Sequence, residues 1–157
     1  EMSAVPVTEA LVRRIGESVD DFVIVNYANP DMVGHTGILP AAVRAVEAVD
    51  RCLGRALDAV AAAGGAALVT SDHGNAETMI EPGGSGPHTA HTLNPVPLLA
   101  FTADDASAGW SLTDGRLCDV APTLLWMMGV PRPADMTGRC LITEAGARRA
   151  VRGRARR

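Results

Sequence analysis

Apolar and polar positions alternate along this chain in a way that predicts a succession of short helices and strands. Thr8 is placed to cap a helix over residues 8–19, with Leu11, Val12, Ile15 and Val19 forming one apolar stripe. Asp20 and Asp21 interrupt that stripe. The run FVIVNY (22–27) then has no helical spacing and is rich in β-branched residues, so it reads as a buried strand ended by Pro30. From Leu39 to Ala63 the apolar positions Leu39, Val43, Val46, Leu53, Leu57 and Val60 recur at helical intervals. Gly64 and Gly65 provide the stop.

Strands are expected at Ala66–Thr70 and at Val96–Phe101, the second opened by Pro95 and Pro97. Asp119 begins a further helix with Pro122 in its first turn, ended by Gly129 and Pro131, and Leu141–Ile142 can form a terminal strand. Strand, long helix, strand is a βαβ unit with a right-handed crossover. The expected fold is therefore α/β, a mostly parallel sheet flanked by helices.

Composition narrows this picture without changing it. The 157 residues suffice for one domain, and an aromatic share of only 3% leaves packing to Val, Leu, Ile and Ala. Charge is distributed unevenly. Residues 1–105 hold five arginines against fourteen acids, and residues 106–157 hold nine against four. The acidic first part argues against a nucleic-acid partner and suits a bound cation. Six arginines fall within 147–157, which reads as a solvated, unstructured tail following a single segment over 1–146. The absence of lysine excludes Schiff-base and P-loop chemistry.

Cys52, Cys118 and Cys140 show no CxxC spacing and indicate thiols in a reducing, cytoplasmic compartment. There is neither a membrane-length apolar run nor a signal pattern at the start. A chain opening on Glu1 is expected to be a piece of something longer.

The histidines are the candidates for chemistry. Asp31 and His35 are four apart, which sets them on one side of a helical turn or compact loop. Asp72 and His73 follow the strand at 66–70 directly, with Gly74 permitting a turn; His88 and His91 precede the next strand, and either can face inward. Ligands in α/β sheets collect beyond the carboxyl ends of strands, and each of these segments sits where a predicted strand has just ended or is about to begin. A carboxylate and imidazole set without cysteine suits Mn²⁺, Zn²⁺ or Fe²⁺. Asn26 and Asn29 can orient ligands or substrate, or cap the turn before Pro30. Glu77 can stand behind the ligands or be an acid on a helix surface. The PGGSGP stretch is too irregular to cradle phosphate, and its glycines serve mobility or chain reversal.

Several of these stretches are those of one known family. NYANPDMVGHTG, AVEAVD, TSDHGNAETM and PHTAHTLNPVPLL, with EMSA at the start and DVAPTLLWMMGVPRPADMTGRCL near the end, closely resemble the cofactor-independent (2,3-bisphosphoglycerate-independent) phosphoglycerate mutases. Only the arginine-rich tail falls outside the likeness. The resemblance implies an alkaline-phosphatase-like partial domain, the C-terminal segment of the metal-binding phosphatase domain of a longer monomeric cytoplasmic enzyme of glycolysis and gluconeogenesis.

That enzyme would bind two Mn²⁺ ions and interconvert 3-phosphoglycerate and 2-phosphoglycerate. By the same resemblance Asp31, His35 and His91 hold one ion and are expected to converge, while Asp72 and His73 supply part of the shell of the second. His91 is preferred to His88 because it begins the H-T-x-N-P-V-P arrangement; His88 becomes a pocket neighbour. The nucleophilic serine and a further aspartate would belong to the missing N-terminal part. The competing readings are a metal-dependent phosphatase or sulfatase-like hydrolase, and a non-catalytic metal-binding α/β module.

Overall fold

The structure is a computed structural model that describes residues 2–103 and 109–144. The tail at 147–157 lies outside the described residues. The chain divides into two compact units, Glu1–Ala63 with Ser71–Val96, and Gly64–Thr70 with Pro97–Arg157.

In the first unit three helices pack together: α1 (Ala4–Glu17), α2 (Asn29–Gly34) and α3 (Leu39–Ala62), with α3 touching both of the others. Helix α1 begins earlier than Thr8, so Thr8 is not its cap. Thr8 is fully buried in the helix interior, where its hydroxyl donates to the Ala4 carbonyl at 2.7 Å and meets the Tyr27 hydroxyl at 2.8 Å. That back-bond to the preceding turn satisfies a polar group that would otherwise be costly to bury.

Helix α3 has the expected bounds but buries a different face. Ala42, Ala45, Ala48, Cys52 and Ala56 are buried, while Leu39, Val43 and Val46 are exposed. Small side chains let helix backbones approach closely, and the alanine stripe is the contact that α1 and α2 can reach. Gly64, at φ +68°, then ends the helix in the left-handed conformation open to glycine.

The predicted strand at 22–27 does not form. Phe22, Val23, Ile24 and Val25 are exposed, Ile24 to 84%, and no ladder includes them among the described residues. A β-branched run is only half of a strand; without a neighbour to take up its backbone hydrogen bonds the propensity has nothing to act on.

Among the described residues the second unit holds two two-stranded sheets, and both are antiparallel. Strand β1 (Ala66–Thr70) pairs with β2 (Leu98–Thr102) in the register Ala66–Thr102 to Thr70–Leu98. Strand β3 (Trp110–Leu112) pairs with β4 (Ile142–Glu144). This corrects the expectation of a mostly parallel sheet flanked by helices.

A parallel pair needs a long crossover, usually a helix. The connection from Thr70 to Leu98 contains only turns and isolated bridges, so the chain returns antiparallel. No strand precedes α3 either, so no βαβ unit is present among the described residues. Helix α4 (Val120–Met127) starts where expected, but the Asp119 carboxylate does not cap it. It accepts the amides of Arg116 and Arg139, each at 2.8 Å, and these bonds, Arg139's first, hold its pKa below the ordinary carboxylate value. Trp110 of β3 meets Trp126 of α4 edge to face at 5.4 Å, a contact that the uninformative sequence around 102–118 did not announce.

No helix among the described residues is long and apolar enough to cross a membrane. The alanine stripe generates a stability prediction. Ala48→Leu, which overpacks the α3 contact, should destabilise the chain by about 1–3 kcal/mol, whereas Val46→Thr on the exposed face should shift stability by less than about 0.5 kcal/mol. Urea unfolding of the two variants beside the parent chain measures both.

Candidate metal centre

All of the acid–histidine candidates belong to the first unit. Pro30 does not end a strand, as the sequence suggested; its fixed φ starts the short helix α2, whose first turn carries Asp31. The His35 amide donates to the Asp31 carbonyl at 3.1 Å, which closes one helical turn and sets the two side chains on the same side.

The second and third segments come from the loop following β1 in the chain. It doubles back on itself through antiparallel bridges at Gly74–Thr92 and Ile80–Pro87, and the PGGSGP stretch makes the reversal with Gly83, Gly84 and Gly86 at positive φ. His73 and His91 each sit one residue before the first bridge, and their rings stack at 3.7 Å. At Gly37 the φ is +66° and an added Cβ would collide with Pro87, so glycine is what lets the His35 segment close on the loop.

Asp31, His35 and His91 therefore meet, with one ligand atom from each lying within 4.8 Å of the others. Asp31 Oδ1 stands 3.2 Å from His35 Nε2 and 3.1 Å from His91 Nε2, and the two nitrogens are 3.1 Å apart. Separations of this size fall between the ligand–ligand edges of about 3.0 Å for an octahedron and about 3.4 Å for a tetrahedron built on bonds near 2.1 Å.

Protonation favours the same use. His35 Nδ1 donates to the Thr89 carbonyl at 2.6 Å, so in the neutral ring Nε2 keeps its lone pair, and Asn75 Nδ2 approaches that nitrogen at 3.4 Å. One carboxylate oxygen and two imidazole nitrogens brought this close make a donor set that a divalent cation can bridge. The residues present thus form a three-residue site fitting a divalent metal.

The remaining candidates are placed less centrally. His73 Nδ1 faces the Gly74 carbonyl at 3.3 Å, and its Nε2 lies 4.0 Å from Asp31 Oδ1 and 3.6 Å from Asp72 Oδ1. The Asp72 side chain is 73% exposed and stands outside the triad. His88 also lies outside it; its amide donates to the Met79 carbonyl, and its Nδ1 is buried with no partner among the described residues. Asn26 is exposed, with no hydrogen bond to the cluster among the described residues, and Asn29 is buried as the first residue of α2.

Glu77 lies in a turn, not on a helix surface. Its carboxylate accepts from the Thr92 hydroxyl, from Asn94 Nδ2 at 2.9 Å and from the Asn75 amide at 2.6 Å. The Thr92 bond, followed by that from Asn94, pushes its pKa down to about 2 against the cost of burial.

Asn75, Thr92 and Asn94 escaped the sequence reading. Asn75 is 5% exposed and donates to Asp31 Oδ1 at 2.8 Å, the atom on which the whole cluster centres. The available signal was the glycine before it: a turn at Gly74 must aim the next side chain somewhere.

With that geometry in hand, the comparisons with known proteins are specific. The Metalloenzyme superfamily profile matches residues 1–132, and the chain belongs to that superfamily. Within it, the chain is 61% identical over 142 residues to a 2,3-bisphosphoglycerate-independent phosphoglycerate mutase of Cereibacter sphaeroides, covering 90% of this chain and 27% of that protein. A phosphoglycerate mutase of the same kind from Methanosarcina acetivorans is 52% identical over 144 residues, covering 92% of this chain and 27% of its own length. The crystal structures of Leishmania mexicana phosphoglycerate mutase at low cobalt concentration include a chain that superposes with a TM-score of 0.81 at 31% identity, over 90% of this chain and 28% of that one. This chain spans little more than a quarter of the length of the curated relatives it matches.

Because the Glu77 pKa is lowered, whatever stability the carboxylate contributes is fully present above its ordinary value of 4.5 and is lost as the pH falls toward about 2. A carboxyl carbon NMR titration should find the Glu77 midpoint near 2, and Thr92→Val should raise that midpoint toward 4.5.

Proposed function

We propose that this chain is the C-terminal segment of the metal-binding domain of a 2,3-bisphosphoglycerate-independent phosphoglycerate mutase. The complete enzyme would interconvert 3-phosphoglycerate and 2-phosphoglycerate through a phosphoserine carried on another part of the protein. The observation that carries this reading is the meeting of Asp31 and His35 with His91, from two separate stretches in each of which the chain resembles that family. The wider likeness to the alkaline phosphatase superfamily belongs to the same proposal, as do monomeric state, a cytoplasmic location and roles in glycolysis and gluconeogenesis. Free thiols at Cys52, Cys118 and Cys140 support a reducing compartment.

In this reading Asp31, His35 and His91 hold one divalent ion, Mn²⁺ by family or Zn²⁺ by ligand type. Asp72 and His73 contribute to a second, with the rest of its shell and the nucleophilic serine coming from the other part of the enzyme. Such ions would lower the pKa of the serine hydroxyl and neutralise phosphoryl oxygens as charge is redistributed in transfer.

The chain's own residues do the preparation. Asp31 brings a carboxylate to a site otherwise lined by imidazoles. The Thr89 carbonyl holds the proton of His35 on Nδ1, and the ring of His73 braces His91 by stacking. Keeping the glycerate bound between the two transfers is what separates a mutase from a phosphatase.

The test is a coupled assay for interconversion of 3-phosphoglycerate and 2-phosphoglycerate on the complete gene product, with phosphate release followed in parallel. Mutase turnover is expected, and release of inorganic phosphate without isomerisation would favour a hydrolase instead. This chain alone, lacking the nucleophile, should show no turnover above a metal-only background. In the complete enzyme at saturating Mn²⁺, His91→Ala should lower kcat by more than the roughly 10- to 100-fold typical of outer partners of a metal site. His88→Ala should cost less than His91→Ala, and the reverse order would exchange their roles.

A further inference from the structure

The turn carrying His73 is tied to its surroundings by a side chain that binds nothing in the triad. Glu77 is exposed and stands apart from the cluster of Asp31, His35 and His91. Its two carboxylate oxygens nevertheless reach both sides of it.

Glu77 Oε2 accepts the Asn75 amide at 2.6 Å, and the Asn75 side chain donates to Asp31 Oδ1 at 2.8 Å. Glu77 Oε1 accepts from the hydroxyl of Thr92, the residue after His91, and from Asn94 Nδ2 at 2.9 Å. The Thr92 amide in turn donates to the Gly74 carbonyl at 2.9 Å. There is no slack in this arrangement. A Cβ on Gly74 would overlap both the Thr92 hydroxyl and the Glu77 carboxylate, and one on Gly34 would overlap Asn75 Oδ1.

We infer that Glu77 is a positioning residue for the metal centre, holding His91 in register with Asp31 and His35 by gripping Thr92 and Asn75 on one carboxylate. The inference rests on the reading of those three residues as metal ligands. The physical need is plain from the distances: Nε2 of His35 and Nε2 of His91 are 3.1 Å apart beside a carboxylate oxygen, and side chains 56 positions apart in sequence keep that spacing only where their backbones are held. A site held in shape before the ion arrives loses less on binding than one that must be assembled.

A carboxylate suits the task because it offers acceptors in two directions and no donor. Glutamine keeps one oxygen for Thr92 and Asn94 but must turn an N–H toward the Asn75 amide, replacing a hydrogen bond by a donor–donor contact.

The experiment is Mn²⁺ titration of the complete gene product, read by the electron paramagnetic resonance of free Mn²⁺, with thermal melting of each variant in metal-free buffer. Glu77→Gln and Thr92→Val should each weaken binding about 10-fold or more, and Glu77→Ala up to about 100-fold. Thr92→Ser, which restores the hydroxyl, should bind within about threefold of the parent. The double variant Glu77→Gln with Thr92→Val should be little worse than the weaker single variant, because each breaks the same Thr92–Glu77–Asn75 connection at a different bond.

Equal loss in Thr92→Val and Thr92→Ser, or losses accompanied by matching drops in melting temperature, would reduce Glu77 to a general stabiliser of the loop and overturn the inference. So would unchanged Mn²⁺ affinity in the Glu77 and Thr92 variants while His91→Ala abolishes binding. Unchanged affinity in His91→Ala would instead remove the metal centre itself, and the positioning role with it. The Thr92 pair keeps the test decisive if Glu77→Ala fails to fold.

Discussion

Everything about this site depends on one oxygen. Asp31 Oδ1 lies within 4.0 Å of imidazole nitrogens from His35, His73 and His91 and accepts a hydrogen bond from Asn75. Four side chains from three stretches of chain converge on one carboxylate oxygen, and ordering them there costs conformational entropy. Such a cluster persists only where the backbone around it is constrained, and each stretch shows its constraint. Helix α2 is started by Pro30, the reversal beyond His73 turns on three glycines at positive φ, and the Gly74–Thr92 bridge clamps the two loop histidines together.

The rest of the first unit is a platform for that oxygen. Helix α3 packs through alanines, which lets α2 lie close against it. Leu39, Val43 and Val46 of α3 and the run at 22–25 remain exposed. Burial in this chain follows from which neighbours are within reach, and hydrophobicity alone does not select the inner face.

Glu77 and Asn75 connect platform to loop. Neither has the position of a ligand, yet together they run from the atom at the centre of the cluster to the residue following His91. Metal sites depend on such outer contacts because the ligands' own side chains rotate freely unless something holds them. The short polar side chains of the loop, threonine and asparagine, are chemically ordinary, and their role comes entirely from what the turn at Gly74 brings within hydrogen-bonding distance.

The sequence by itself determined the local things: the bounds of α3 and β1, the start of α4, and the pairing of Asp31 with His35, since spacing and turn residues act over a few positions. The family resemblance, carried by contiguous motifs, selected His91 over His88 for the triad. What only the tertiary structure decided was everything requiring a partner distant in the chain. The β-branched run at 22–27 looks like a strand because its side chains suit one, but a strand exists only where another supplies hydrogen bonds. The orientation of β2 was open for the same reason: alternation of side chains is identical in parallel and antiparallel pairs, and the connection, here without a helix, makes the choice. Asn75 reaching Asp31 and Glu77 reaching Thr92 span 44 and 15 positions of sequence. No periodicity encodes such meetings, because they arise only once the loop has folded back on itself.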